Sequence, residues 1–490
     1  MSSVDALVAR ALGITEDRVT DTLEYQSIRQ WDSLGHISLM VALEEAYGVP
    51  VDDELTLALR SVTAIREFAE GRAADRTPST APGPGAPAGQ PPAGQPPAQQ
   101  PPAGQPPAGQ RHTVHRGLDG VSFDRTTITH IDGAEGVLEY RGYSIHDLAE
   151  HASFEEVAHL LVHGELPDAA GLLAFEKELR AARELPAPVL DLARSLAHAH
   201  PMDALRTCVS ALEAFGPRRD AGTDETYEQA RDTGIALIAR IPMLVAAHHA
   251  FRSGREPSVP AEETSSADAF LTALLGERPT PAAVRFLNKG LIVHADHSSN
   301  ASAFAARVAV GSRAGMTAAV TAAVATFAGS VHGGAAERVM RLVDEVAAPE
   351  RAAEYVAQLR GRGEPVMGFG HRVYRTEDPR VRHLRATVVE LSRERGDGRG
   401  LEILDAVAEA MRPYGRHGLA PNVDLYAGLA YRLLGLPDDL AVPLFVVGRT
   451  AGWVAQALEQ QANNVLIRPL LDYVGPRGRA FPAAREADAR

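Results

Sequence analysis

Cysteine is almost missing: Cys208 is the only one among 490 residues. That excludes a disulfide framework within the chain and any cysteine-based zinc site. A single thiol suits a reducing compartment, here expected to be the cytoplasm. Lysine is scarce too, with Lys177 and Lys289 alone among 49 basic residues, and 63 acidic residues leave a formal net charge of −14. A nucleic-acid binder needs a basic face to neutralise phosphates, so that class is excluded, as is an anionic membrane surface. Aromatic residues make up 5% of the chain, so cores must be built from Ala, Leu, Val and Ile. No run of 18 apolar residues exists. The nearest, Met316–Gly329, is shorter and interrupted by threonines, and reads as a buried Ala-rich helix. The opening MSSVDALVAR has neither the basic nor the apolar stretch of a secretory signal.

What is present divides the chain. At 490 residues two or more domains are expected. Residues 77–110 are Pro, Ala, Gly and Gln, and end in five near-copies of PPAGQ over Ala86–Gln110. With no apolar periodicity and no charge, this segment cannot build a core and reads as a linker. Its span is roughly 30 Å as a flexible coil and roughly 100 Å when extended. Before it lies a unit of residues 1–76, with 14 acidic against 7 basic residues. Its pattern predicts helices over Val4–Leu12, Leu34–Tyr47 and Thr63–Gly71, a small bundle. After it, residues 111–490 begin with strand-like pieces, Gly120–Ile131 and Gly136–Tyr140, around an Asp132-Gly133 turn. Helix follows helix from there, for example Ser153–Val162, Leu172–Ala182 and Thr317–Ala328. The chain is therefore expected to be mainly α.

Within the small unit, Asp32 and Ser33 precede a helix whose apolar residues at 34, 37, 41 and 43, with 39 and 40, read as one buried face. Asp and Ser are ordinary N-caps, but a serine there is also exposed, and a phosphate is favoured at a helix N-terminus. The small acidic helical unit, Asp-Ser-Leu opening its second helix, and the Pro-rich tether together resemble an acyl or peptidyl carrier protein over residues 3–72. That resemblance implies 4′-phosphopantetheine covalently attached at Ser33, and a phosphopantetheinyl transferase as partner.

The large region carries four islands of Gly, His and Asp: His294-Ala295-Asp296-His297, His332-Gly333-Gly334-Ala335, Gly368-Phe369-Gly370-His371, and Pro421-Asn422-Val423-Asp424. Zinc sites on helices want histidines at i, i+4, whereas these paired histidines stand at i, i+3, so no metal is indicated. Such a set suits proton abstraction beside a carbonyl. A carboxylate takes the proton, imidazoles donate to the developing oxyanion and to an acceptor carbonyl, and arginines clamp carboxylates. Arg380, Arg449 and Arg468 are the candidate clamps. Three cations for one acceptor favour a keto dicarboxylate, because a monocarboxylate would leave a buried charge unpaired.

Residues from about 116 to 478 are similar to citrate synthases. The resemblance rests on GLDGVSFDRTTITHIDGAEGVLEYRGYSIHDLA, HPMDALRT, HADHSSNASAFAARV, HGGAAE, MGFGHRVYRTEDPR, PNVDLYAG and GRTAGWVAQALEQ with NNVLIRP, in that order. It implies an all-α fold of large and small helical domains, a homodimer, and transfer of an acyl group from CoA to oxaloacetate. It further implies that His332 stabilises the enol, His371 polarises the keto carbonyl and acts as acid, and Asp424 removes the α-proton. His297, Arg380, Arg449 and Arg468 would bind the keto acid, with Arg468 reaching the partner subunit's site, and Arg375 would meet CoA phosphate. Two departures stand out: Ala336 where the family usually has Asn, and Gln456 where it often has His. The fused carrier implies specialised metabolism, with the acyl donor on free CoA or on the Ser33 arm. The alternative is a carrier or scaffold protein with an inactive synthase part.

Overall fold

The computed structural model describes residues 3–74, 114–216, 224–258 and 264–479, apart from Gln26, Arg29, Asp32, Val49, Pro50, Asp52 and Asp119. The expected linker, 77–110, lies outside the described residues, and so does Asp32. Ser33 opens a described helix, but its side chain lies outside the description. The chain divides into two compact units: Met1–Glu70 with Thr126–Ile467, and Gly71–Arg125 with Arg468–Arg490.

Four helices form the N-terminal part: α1 (Val4–Leu12), α2 (Ser33–Tyr47), α3 (Asp53–Ala58) and α4 (Val62–Ala74). The six-residue α3 is absent from the sequence reading, because it is too short to show a period. Ser3 caps α1 by accepting the Ala6 N–H, and Gly13 ends it at φ 62°. Leu7, Val8, Leu12, Trp31, Leu39, Leu43, Val62 and Ile65 meet in a core of their own. Across it, Asp5 pairs with Arg66 through two bonds of 2.8 and 2.9 Å. The α2 face is not one face, however: Ile37 belongs to the core of the large helical part.

In that large part the strands are shorter than expected. β1 (Thr129–Asp132), β2 (Val137–Tyr140) and β3 (Tyr143–Ser144) form an antiparallel meander with Thr129 opposite Tyr140 and Asp132 opposite Val137. Residues 121–128 are irregular, since β2 offers only four residues to pair with. The Asp132 carboxylate closes the hairpin by accepting the N–H groups of Ala134 and Glu135. Gly133 is required here: a Cβ would stand 2.2 Å from the Val373 carbonyl oxygen. The Arg375 N–H donates to the Gly133 carbonyl at 2.8 Å, so the hairpin holds the 373–375 loop.

The rest is helical. The expected helices are found at Phe154–His163, Ala169–Ala182 and Met316–Phe327. Ser153 and Glu156 form a reciprocal capping box on the first. Two helices, Tyr227–Arg252 and Ala441–Ala462, run through the core, and Met316–Phe327 packs on Ala301–Gly311, both with buried alanines. The stretches 227–252 and 438–462 are long and apolar enough to cross a membrane by composition, but most of each is buried inside the protein, as core helices are. Cys208 is buried, its thiol pushed up to about 11 by burial, which leaves it unreactive.

Candidate active site

His332 sits in the turn between the helices Met316–Phe327 and Ala335–Val346. The turn folds back on the first helix, with the Gly333 N–H donating to the Phe327 carbonyl. A Cβ on Gly333 would lie 2.5 Å from that oxygen and 2.7 Å from the phenyl ring, so only glycine fits. The backbone N–H of Ser302 donates to His332 Nε2 at 3.3 Å, and the Ser302 hydroxyl stands 2.9 Å from the same nitrogen. An N–H aimed at Nε2 makes that nitrogen the acceptor, so the proton sits on Nδ1. Ser302 is itself held by Trp453 Nε1–H at 3.0 Å and by the Asn300 side chain at 2.7 Å. Burial, with Arg449 nearby, pushes His332 down to about 4, so it is a neutral donor at physiological pH.

His371 is fixed in the opposite tautomer. Its Nδ1 accepts the N–H groups of Val373 (3.0 Å) and Tyr374 (3.2 Å), which leaves the proton on Nε2. Burial pushes it down to about 4, assisted by Arg380 and opposed by Asp378. The loop before it turns on Gly368 and Gly370, at φ 82° and 84°. That loop is stitched to the segment before Asp424. The Gly370 N–H donates to Ala420, the Asn422 N–H to Gly368, and the Asn422 amide to Gly370, each at 2.9 Å.

Asp424 begins the helix Asp424–Leu433, its backbone N–H donating to the Asn422 side chain at 3.1 Å. The carboxylate itself receives no hydrogen bond from the described residues. Burial raises it to about 6, against the pull of Arg380 and Arg449 and with the help of Asp378. A carboxylate poised near neutral pH is the proper strength for a general base.

The two cations are of different kinds. Arg380 is buried and donates through Nε (2.8 Å) and Nη2 (2.7 Å) to Asp378. Burial disfavours the Asp378 charge, but Arg380 outweighs it and holds the carboxyl below its ordinary value. Two of the three Arg380 nitrogens are thus spent on Asp378. Arg449, on Ala441–Ala462, is buried and makes no ion pair among the described residues. Its Nε donates to the His294 carbonyl at 2.6 Å, and its guanidinium lies 4.9 Å from the Phe445 ring centre. Burial pushes it down to about 10, opposed by Asp296, so it stays a cation at neutral pH. A buried cation outside any ion pair can receive an anion.

His297 lies against this group, with Nε2 3.1 Å from the Tyr374 hydroxyl and its ring 5.1 Å from that of His371. Burial, then Arg380, His371 and Arg449, hold it well below its ordinary value. Arg380 and Arg449 thus both act on His297 and Asp424, while Arg449 acts on His332 and Arg380 on His371. Arg375 is exposed on the loop after His371. Arg468 is exposed in the other compact unit. Gln456 bridges buried charges, accepting from Arg307 Nε at 2.7 Å and donating to Asp296 at 3.1 Å. The Ala336 side chain lies outside the description. Ser302, Asn300, Trp453 and Asp378 are the positioning residues that the sequence reading does not assign. Beside the His332 turn, a cleft of about 330 Å³ is lined by Ser330, Gly334, Arg338, Arg341, His200 and Asp203.

The sequence from 117 to 470 matches the family described as citrate synthase, C-terminal domain. The chain is 39% identical over 367 residues to a citrate synthase of Synechocystis, covering 74% of this chain and 92% of that one. It is 39% identical over 372 residues to 2-methylcitrate synthase 2 of Corynebacterium glutamicum, covering 75% and 96%. Among solved structures, citrate synthase of Pyrobaculum aerophilum superposes with a TM-score of 0.71 at 35% identity, covering 76% of this chain and 95% of that one. Citrate synthase of Thermoplasma acidophilum, solved in a ternary complex with carboxymethyl coenzyme A and oxaloacetate, does so with 0.71 at 29%, covering 76% and 99%. The chain belongs to the citrate synthase family of enzymes.

Proposed function

We propose that this enzyme condenses a short acyl thioester with oxaloacetate or a close α-keto dicarboxylate, giving a tricarboxylate and a free thiol. The observation that carries this reading is Asp424, a carboxylate raised to about 6 in the field of two buried arginines, on a segment hydrogen-bonded to the loop that bears His371. Asp424 takes the α-proton of the acyl group. His332 Nδ1–H donates to the thioester oxygen as it becomes an enolate. The enol carbon attacks the keto carbonyl, and His371 Nε2–H passes its proton to the carbonyl oxygen, which becomes the hydroxyl. Water then cleaves the thioester. Relatives named for citrate and for 2-methylcitrate at the same identity leave two acyl groups, acetyl and one methylene longer. Incubation with oxaloacetate and each acyl-CoA, reading thiol release and product mass, decides between them. No thiol release with either donor overturns the reading.

The acceptor's carboxylates would meet Arg449, the spare edge of Arg380, and His297. Arg449→Ala is expected to raise KM for the keto acid about 10- to 100-fold with kcat little changed, the loss of one charge-assisted contact made in ground and transition states alike. Steady-state kinetics check this, and an unaltered KM removes Arg449 from the acceptor site. A homodimer, with Arg468 serving the partner's site, is supported by the exposed run Leu470, Leu471, Tyr473 and Val474 next to that arginine. The single buried thiol supports a cytoplasmic setting.

The N-terminal unit is read as a carrier, in a specialised biosynthetic setting. Ser33 at the first turn of α2, in a small acidic helical unit with its own core, supports this. The hydroxyl of Ser33 would hold 4′-phosphopantetheine by a phosphodiester. When bound, that group supplies a thiol that carries the acyl group, the same reactive end that CoA presents. Treatment with a phosphopantetheinyl transferase and CoA is expected to add one phosphopantetheine mass to the wild type and none to Ser33→Ala. A gain retained by Ser33→Ala would reject Ser33 as the attachment point.

A further inference from the structure

The helical unit that carries Ser33 is seated on the synthase part through one side of α2. Ile37 is 6% exposed, yet it joins the core of the large part, while Leu39, Met40 and Leu43 of the same helix fill the unit's own core. Its Cδ1 lies 3.9 Å from where a Cβ on Gly418 would stand. One residue on, the Ser38 hydroxyl accepts Arg360 Nη1 at 3.4 Å, and the Arg360 guanidinium lies over the Tyr414 ring at 5.1 Å. From α1, the Arg10 carbonyl oxygen comes within 3.0 Å of the Cβ position of Gly363, whose φ is 70°. The seat is thus built from the end of the helix Ala352–Gly361 and the 412–418 segment.

The orientation of α2 on this seat is also fixed. Toward its C-terminus, Glu45 acts on Arg360. Toward its N-terminus, His36 feels the charge of Arg375, whose Cδ lies 3.9 Å from the same Gly418 Cβ position that Ile37 approaches. Ser33 opens the helix three residues before His36, less than one turn away. Arg375 follows His371 by four residues in the loop held by Gly133.

We propose that the Arg360–Gly363 corner and the 412–418 segment form a docking surface for the chain's own N-terminal unit, which presents the Ser33 end of α2 to the Arg375–His371 loop for acyl delivery within the chain. This rests on the carrier reading of Ser33. The tether keeps the unit close, and the seat sets which way it faces. A tether alone supplies concentration without orientation.

The test uses the full chain and the substitution Ile37→Arg, which places a charge in the contact and leaves Leu39, Met40 and Leu43 in place. Arg360→Glu, on the other side of the contact, guards against misfolding of the first variant. Ser33 should still gain the phosphopantetheine mass in both. Amide exchange over 358–363 and 412–418 should quicken about tenfold or more, the scale of one buried aliphatic contact. Single-turnover condensation of an acetyl group loaded as a thioester on the Ser33 phosphopantetheine arm should slow by a similar factor, while turnover of free acetyl-CoA does not fall. Unchanged exchange in both variants overturns the seat. Faster exchange with an unchanged rate from Ser33 overturns its role in delivery. Absence of the mass gain on the wild-type protein overturns the carrier reading, and delivery with it, and is distinct from either result.

Discussion

Asp424→Asn should lower kcat at least about 100-fold while the protein stays folded. The backbone N–H at 424 keeps its bond to Asn422, and the side chain receives no hydrogen bond from the described residues, so nothing structural rests on the carboxylate. A carboxamide of the same shape cannot accept the α-proton. The wild-type pH profile gives a second view of the same group. With Asp424 raised to about 6 in the free enzyme, kcat/KM should climb as pH rises through that value, because the ionised form is the proposed base. His332 and His371, pushed to about 4, stay neutral above that range and add no step near 6. The climb should be missing from the residual rate of the Asn variant. A flat wild-type kcat/KM between pH 5 and 8, with full turnover in Asp424→Asn, would exclude Asp424 as the base.

His332→Ala should cost about 10² to 10³ in kcat, the usual loss when one donor to a developing oxyanion is removed. Ser302 occupies Nε2, which leaves the Nδ1 proton as the one His332 can donate. KM for the keto acid should change little, since Arg449 and His297 remain. A loss of less than about threefold in kcat would mean that the enolate oxygen is stabilised elsewhere.

The proposed reacting residues stand out because glycine-flanked histidines and a lone Pro-Asn-Val-Asp are unusual in a chain otherwise made of amphipathic helices. Mainly helical architecture followed from periodicity alone. What escaped were relations between side chains. Nothing in Asp378-Pro379-Arg380 says that the arginine folds back on the aspartate two residues earlier. Ser302 reads as an ordinary residue near an Asn-capped helix start, and its hold on His332 exists only across 30 residues of chain. Neither tautomer is a property of sequence, since backbone N–H groups set both. On α2 the apolar positions formed one group in the pattern, but the period does not tell which partner each meets, and Ile37 turns to a different core from Leu39 and Leu43. The Gly120–Ile131 strand failed for want of a neighbour long enough to pair with.

The three bonds that join Gly368 and Gly370 to Ala420 and Asn422 constrain motion as well as geometry. Parting His371 from the start of the Asp424 helix would break all three together, at a cost of about 1 kcal/mol each. The His371 loop and the start of the Asp424 helix therefore travel as one piece. An opening between them is disfavoured relative to one along another seam, such as beside the turn that bears His332 or the helix that bears Arg449. If His371 and Asp424 act as proposed, each turnover begins with proton donor and acceptor already in register.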